Sequence, residues 1–501
     1  MKVQQFLDHY GIARNPFAEE DAQTDPVFKE HCIESTYHPT WDKVYGDPSE
    51  PSTSIIFGEK GSGKTAMRLQ LARHMDHYND QHPGRRLFVV HYDDFNPFLD
   101  RFRDRLSHRN RKADRTLGQF KLWDHMDAIL SLAVTGLVDR ILEVKQPSTA
   151  VVCDIESSDI DKLDRHQARD LLLLAACYDQ STGETLNGRW HRLRRRLKFQ
   201  TWKSYWQLAL GWAITALILL IVVIVWANGG QAWLPPWWVY PILLLAGWWP
   251  WLWRVWKNFW LARGVLKRMR VGIHETNPLR QVLMHFLPAE LAGQPLPNKD
   301  SNDDRYELLL KLQGLLETLG HRGIIVLVDR LDEPHLVNGS AELMKALLWP
   351  MLDNKFLKHP GMGLKLMLPI ELTRFIEREE RDFYQRARLD KQNMVPSFEW
   401  TGEALYDVAT ARVKACTKPG AKPALTDLFE PAVNQDRLIG AFRNLRVPRR
   451  LFKFLYRLIA DHCNAHTDQD PSWKISSTLF ETTLAIHLRE QDAFDRGVGA
   501  G

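Results

Sequence analysis

Residues 204–253 contain no Asp, Glu, Lys, Arg or His, fifty positions in a chain that is 25% charged overall. Such a gap argues against a solvated surface segment. Cysteine is sparse: Cys32, Cys153, Cys177, Cys416 and Cys463 stand apart with no CxxC spacing, which argues against a zinc site and a disulfide framework and suits a reduced, cytoplasmic setting. Charge of one sign is also scarce, because a net +5 over 501 residues is too little to argue for a nucleic-acid binder by composition. The opening Met1-Lys2-Val3-Gln4-Gln5-Phe6 lacks an apolar h-region, so no cleavable signal is expected and the uncharged stretch itself should direct insertion. Internal repeats and long low-complexity tracts are missing.

Against these absences stands one strong motif, Gly58-Glu59-Lys60-Gly61-Ser62-Gly63-Lys64-Thr65. It fits GxxxxGK[ST] and has the required flanks, an apolar Ser54-Ile55-Ile56-Phe57 before it and a helix-forming Ala66-Met67-Arg68-Leu69-Gln70-Leu71 after it. The glycines let backbone N–H groups converge on phosphates at the positive end of the following helix. Lys64 is placed to reach the outer phosphates of a nucleotide and Thr65 to offer its hydroxyl to Mg²⁺.

Its partner is Ile324-Ile325-Val326-Leu327-Val328-Asp329, about 265 residues later, followed by Arg330-Leu331-Asp332-Glu333-Pro334. Five apolar residues in a row suit a parallel strand buried on both faces. Asp329 at its carboxyl end is expected to hold Mg²⁺, and Glu333 or Asp332 to polarise the attacking water.

Two apolar runs fill the uncharged gap, Trp206–Trp226 and Trp233–Trp253, the second interrupted by Pro235, Pro236, Pro241 and Pro250. Each is about the length that spans a bilayer. Thirteen of the 19 tryptophans fall between 202 and 260, crowding the ends of the runs as an aromatic belt would. Arg189, Arg192, Arg194, Arg195, Arg196, Lys198 and Lys203 precede them and Arg254, Lys257, Arg263, Lys267, Arg268 and Arg270 follow, whereas the Ala227–Ala232 connection is uncharged. The positive-inside rule then places both flanks in the cytoplasm. The same cations could grip anionic lipid or nucleic acid.

The chain thus divides into a leader over 1–45, a first half-core over 46–105, a mostly helical insertion over 106–203, a transmembrane hairpin over 204–256, a basic helix and connector over 257–302, a second half-core over 303–400, a helical lid over 401–491 and a disordered tail over 492–501. Strands are expected at 54–57, 87–91, 324–329 and 363–369. Helices are expected at 64–76, 119–144, 160–178, 184–198, 259–271, 303–320, 402–416, 436–443, 447–465 and 474–490. The fold class is an α/β P-loop NTPase core, a parallel sheet with helices on both faces, carrying the insertion, a two-helix transmembrane hairpin and the C-terminal lid.

A P-loop domain interrupted by a membrane hairpin between its phosphate loop and its acidic strand resembles the KAP-type P-loop NTPases of the STAND and AAA+ group. Val328-Asp329-Arg330-Leu331-Asp332-Glu333 is similar to the hhhDxxDE form of STAND proteins, where KAP members more often end in Asp-Arg. Asn15-Pro16-Phe17 resembles the start of secretion-associated and origin-recognition-like ATPases, and Val447-Pro448-Arg449-Arg450-Leu451 their sensor-2 helix, in which an arginine touches the γ-phosphate. The resemblance implies a membrane-anchored, multi-pass ATPase switch of the bacterial inner membrane, homo-oligomeric, using ATP and Mg²⁺, of the kind found in anti-phage and plasmid-exclusion systems. Arg449 is the arginine best placed for that sensor role, with Arg374, Arg386, Arg388 and Arg450 as further candidates for a finger or sensor. No NKxD-like guanine reader accompanies the loop. Two alternatives stay open: an ATPase stimulated by nucleic acid, and an ATP-dependent scaffold that does not hydrolyse. Protein partners are not legible.

Overall fold

The computed structural model describes residues 1–227, 236 and 238–495. Most of the Ala227–Ala232 connection and the start of the second apolar run therefore lie outside the described residues, as do 496–501. The tail begins ordered, because the last helix runs Ser477–Asp495.

The protein is mixed α/β with one six-stranded, mostly parallel sheet. Its strands are β1 Ser54–Gly58, β2 Arg86–Tyr92, β3 Val151–Val152, β4 His321–Val328, β5 Met362–Pro369 and β6 Asn393–Val395, in the order β3-β2-β4-β5-β1-β6. β1 is parallel to β5 and to β6, and β2 is antiparallel to β3. The apolar runs are strands because both faces are covered: every residue of β1 and β5 is buried. Each such Val, Leu or Ile contributes roughly 1.5–3 kcal/mol relative to exposure. β3 and β6 escaped the sequence because two or three residues carry no legible period. The register pairs Gly58 of β1 with Pro369 of β5, so the chain leaving β5 emerges beside the glycine loop.

The chain forms two compact units, Met1–His82 with Ile325–Leu348 and Leu352 onward, and Pro83–Ile324 with Trp349–Met351. In the first, the 1–45 segment is more than a leader. Phe6, Leu7, Ile12, Phe17, Val27, Phe28 and Cys32 share one core with the helices Gly402–Ala415, Gln435–Leu445, Pro448–Ala465 and Ser477–Asp495. Arg412 locks the two together. Its guanidinium pairs with Asp25 at 2.6 Å, donates to Pro16 O at 2.6 Å and lies 4.4 Å from the centre of the Phe452 ring.

In the second unit the insertion is helical over Leu122–Ile141, Arg165–Tyr178 and Leu186–Arg196. Buried ion pairs hold it to segments beyond the apolar runs: Arg305 grips Asp127 with contacts of 3.1 and 3.0 Å, and Arg270 grips Asp124 at 3.0 and 2.5 Å. Arg189 bridges Asp139 and Asp179. Buried Arg254 donates to Met284 O and Phe286 O. Arg189 and Arg254 are buried and Arg270 is half-buried on buried Asp124, so all three, counted in the sequence among charges flanking a membrane, are structural residues. Tertiary pairing, which the sequence does not display, decides this.

Among the described residues one helix, Trp202–Ala227, is long and apolar enough to cross a membrane. From Val239 on, the second run belongs to a 30-residue helix, Val239–Arg268, continuous through Pro250. It falls short of that apolarity because tryptophan and proline dilute its aliphatic residues and Arg254 follows at once. The two helices pack on each other: Gly211 receives the Trp248 ring, Gly247 receives Ile214, and Trp248 Nε1 donates to Thr215 Oγ1 at 3.0 Å.

Candidate functional site

The Gly58–Thr65 loop leaves the carboxyl end of β1 and enters the helix Lys64–Gln81. Two glycines make the turn possible, because Gly61 and Gly63 have φ of 86° and 95°, a region costly for residues with a Cβ. The amides of Gly61, Gly63, Lys64 and Thr65 have no acceptor among the described residues; the last three stand at the start of the helix, where no intrahelical acceptor exists. All four residues line a cavity of 330 Å³, a size typical of small-molecule sites.

β4 brings Asp329 to the same place. Thr65 Oγ1 donates to Asp329 Oδ2 at 2.9 Å, closing a sequence gap of 264 residues. Arg68, one helical turn after Thr65, approaches the same oxygen at 3.3 Å, and both side chains of that pair are almost fully buried. Burial raises the Asp329 carboxyl above its ordinary value, against the opposing pull of Arg68 and the Thr65 hydroxyl. The next residue, Arg330, adopts left-handed backbone with φ 61°, a conformation costing about 1 kcal/mol. That sharp bend carries Asp332 and Glu333 to the cavity wall. Glu333 is half exposed and pairs with Arg330 at 3.4 Å. Its carboxyl is also raised, by partial burial first.

Lys64 is folded onto its own loop, donating to Gly58 O at 2.7 Å and Glu59 O at 2.8 Å. Burial lowers its ammonium below the ordinary lysine value, while Asp329, Asp332 and Glu371 favour the charge. The outer side of the loop is tied to the C-terminal helices. Arg449 N donates to Gly61 O at 3.3 Å, Trp400 Nε1 to Ser62 O at 2.7 Å, and Arg450 pairs with Glu59 at 3.2 Å. The Arg449 side chain lies against Gly61 and faces Glu20 at 3.8 Å. Lys60 is exposed at the cavity rim, whereas Ser62 is buried with its hydroxyl unpaired.

The structure therefore brings together Lys60, Gly61, Gly63, Lys64, Thr65, Asp329, Asp332, Glu333 and Arg449, with Gly58, Glu59 and Ser62 forming the outer turn. Arg374, Arg386 and Arg388 do not line the cavity. Among the described residues no cluster of three metal-ligating side chains occurs, so no all-protein cage is built. A hydroxyl touching a single carboxylate does fit Mg²⁺, which keeps most of its shell as water and phosphate oxygen.

Several residues in or behind the cavity wall escaped the sequence: Arg68 stands behind Asp329, and Glu371, His38, Phe398 and Trp400 line the cavity itself. Arg68 was legible in principle, since i and i+3 on a helix share a face. Glu371 follows β5, and the carboxyl ends of parallel strands gather at one edge. His38, Phe398 and Trp400 had no local signal. His38 stacks on Phe398 with ring centres 3.8 Å apart and stands edge-on to Trp400 at 4.9 Å. Burial pushes its imidazole down to about 4. The neutral ring donates from Nε2 to Glu399 O at 2.8 Å and accepts at Nδ1 from Thr40 N at 3.1 Å.

No family model, curated protein or solved structure matches this chain.

Proposed function

We propose that this chain is a membrane-anchored P-loop NTPase of the KAP, STAND and AAA+ kind that binds and hydrolyses ATP as a homo-oligomeric switch. The observation that carries the reading is the 2.9 Å contact of Thr65 Oγ1 with Asp329 Oδ2, at the mouth of a glycine loop whose free amides line the cavity. A hydroxyl, a carboxylate, a lysine and converging N–H donors are the set that phosphoryl transfer uses.

In this mechanism the loop amides and the helix start hold the β- and γ-phosphates, and Lys64 exchanges the Gly58 and Glu59 carbonyls for phosphate oxygens. Thr65 and Asp329 would hold Mg²⁺, which supplies charge neutralisation when bound. Glu333, or Asp332 beside it, orients a water toward the γ-phosphorus, whose bond to the bridging oxygen breaks as the new P–O bond forms. Arg449 lies where a move of its side chain off Gly61 brings a guanidinium to the phosphates. Lys64→Ala should abolish ATP turnover by the detergent-purified chain, and a variant retaining wild-type turnover would sink this reading.

The same proposal places Trp202–Ala227 and the first half of Val239–Arg268 in the bacterial inner membrane as a hairpin, with both soluble parts cytoplasmic. What supports it is the mutual packing at Gly211 and Gly247 beside outward faces that stay exposed, among them Leu219, Leu220, Ile242 and Leu245. A water-soluble helix pair would bury that face.

The half-exposed, Arg330-paired Glu333 supports a second reading, an ATP-dependent scaffold without turnover. Glu333→Gln separates the two: an ATPase loses turnover and traps ATP, and a scaffold is indifferent. A nucleic-acid-stimulated ATPase would instead show turnover that rises with added DNA or RNA and falls with salt.

A further inference from the structure

Trp249, Trp253, Trp256 and Trp260 succeed one another on one face of the Val239–Arg268 helix, each more than half exposed, with ring centres 6.2, 5.0 and 6.3 Å apart. The spacing of four, three and four residues is helical. Beside the later rings Lys257 and Arg263 are exposed and without a carboxylate partner among the described residues. The Arg263 guanidinium lies 5.9 Å from the Trp260 ring centre, and on the neighbouring helix the exposed Lys203 lies 5.6 Å from that of Trp202. These cations differ from Arg189, Arg254 and Arg270, which internal partners consume.

We propose that Lys203, Lys257 and Arg263, with Trp256 and Trp260, form a collar that binds the phosphates of anionic phospholipids. The proposal rests on the membrane hairpin above. If hydrocarbon ends near Trp253, the helical rise of about 1.5 Å per residue puts Trp256 and Trp260 roughly 5 and 10 Å further out. The polar layer of each leaflet is about 5–8 Å thick, so Trp256 sits in it and Trp260 lies just beyond it, within reach of its phosphates. Lysine and arginine stems from Lys203 and Arg263 reach back to the same level. Nucleic acid fits worse, because the ladder continues directly into the span-facing Trp249 and Trp253, and a polyanion there would press on the membrane's own phosphates.

The test uses the full chain in vesicles of phosphatidylcholine with or without phosphatidylglycerol, reading tryptophan quenching by brominated forms of each lipid. Phosphatidylglycerol should quench at several-fold lower fraction than phosphatidylcholine. Lys257→Gln/Arg263→Gln should lose most of that preference, and Lys257→Arg/Arg263→Lys should keep it. Protein that resists alkaline carbonate washing yet shows no lipid preference overturns the collar and leaves the anchor standing; protein that washes off overturns both. A preference unchanged in the glutamine variant overturns the assignment, as does loss of binding to a DNA duplex in that variant with lipid preference intact.

Discussion

Removing the charge of Arg68 tests how the site is held together. Arg68→Met keeps the stem but takes away the buried cation 3.3 Å from Asp329. Asp329 is 2% exposed, so the carboxylate cannot recover its hydration, and breaking such a pair costs about 3–5 kcal/mol. The Thr65 hydroxyl remains and offsets part of that, leaving about 3 kcal/mol. For a unit of roughly 250 residues this lowers the melting temperature by about 6–12 °C. The pH dependence has a definite sign. Burial already raises the folded-state Asp329 carboxyl, and losing Arg68, an opposing cause, raises it further. The folded variant therefore binds a proton that the unfolded chain has released, and its stability falls as pH rises through the range between the two values. Asp329→Asn removes the charge, so Arg68→Met/Asp329→Asn should regain most of the loss. Differential scanning fluorimetry on the four proteins of the cycle, from pH 5 to 8, gives the coupling directly. A loss below 1 kcal/mol for Arg68→Met, or equal losses with and without Asp329→Asn, would refute the claim that Arg68 is the counter-ion of Asp329.

Gly61→Ala places a methyl 2.6 Å from Arg449 Cβ at φ 86°, so about 2–4 kcal/mol should be lost from strain and overpacking, with weaker nucleotide binding by calorimetry. Gly264→Ala, in open space within its helix, should instead stabilise by up to about 1 kcal/mol. Trp400→Phe deletes the 2.7 Å bond to Ser62 O and should cost about 1 kcal/mol. Hydrogen exchange should then rise in both the loop and the Gly402–Ala415 helix, and a rise in only one would break the claimed link. Lys365 is fully buried, donates to Val44 O at 2.7 Å and Tyr45 O at 3.2 Å, and burial lowers its ammonium to about 7. The unfolded lysine stays protonated up to its ordinary value, so native stability should climb between pH 7 and 10, by about 4 kcal/mol at the limit. In Lys365→Met that climb should vanish from the thermal melts, and its persistence would assign it elsewhere.

The loop motif, the unbroken apolar strands and the uncharged gap were legible because each rests on residues adjacent in sequence. A glycine-rich turn reports its own backbone freedom, a strand buried on both faces must be apolar throughout, and a helix long and apolar enough to cross a membrane shows as a run without charge. Long helices showed for the same reason, through their period. Pairings between distant residues left no such trace. Nothing near Arg270 announces Asp124, nothing near Arg412 announces Asp25, and so structural arginines passed for membrane-flanking charge and a core-forming segment passed for a leader. The sequence by itself determined the glycine turn at Gly58–Thr65 and the buried apolar strand leading to Asp329. The tertiary structure alone decided that Thr65 meets Asp329, that Arg68 holds the same carboxylate, and that Trp400 and Arg449 reach the loop from the C-terminal helices. Local patterns follow from solvation and backbone geometry, whereas contacts across hundreds of residues exist only once the sheet register has set which strand ends stand together.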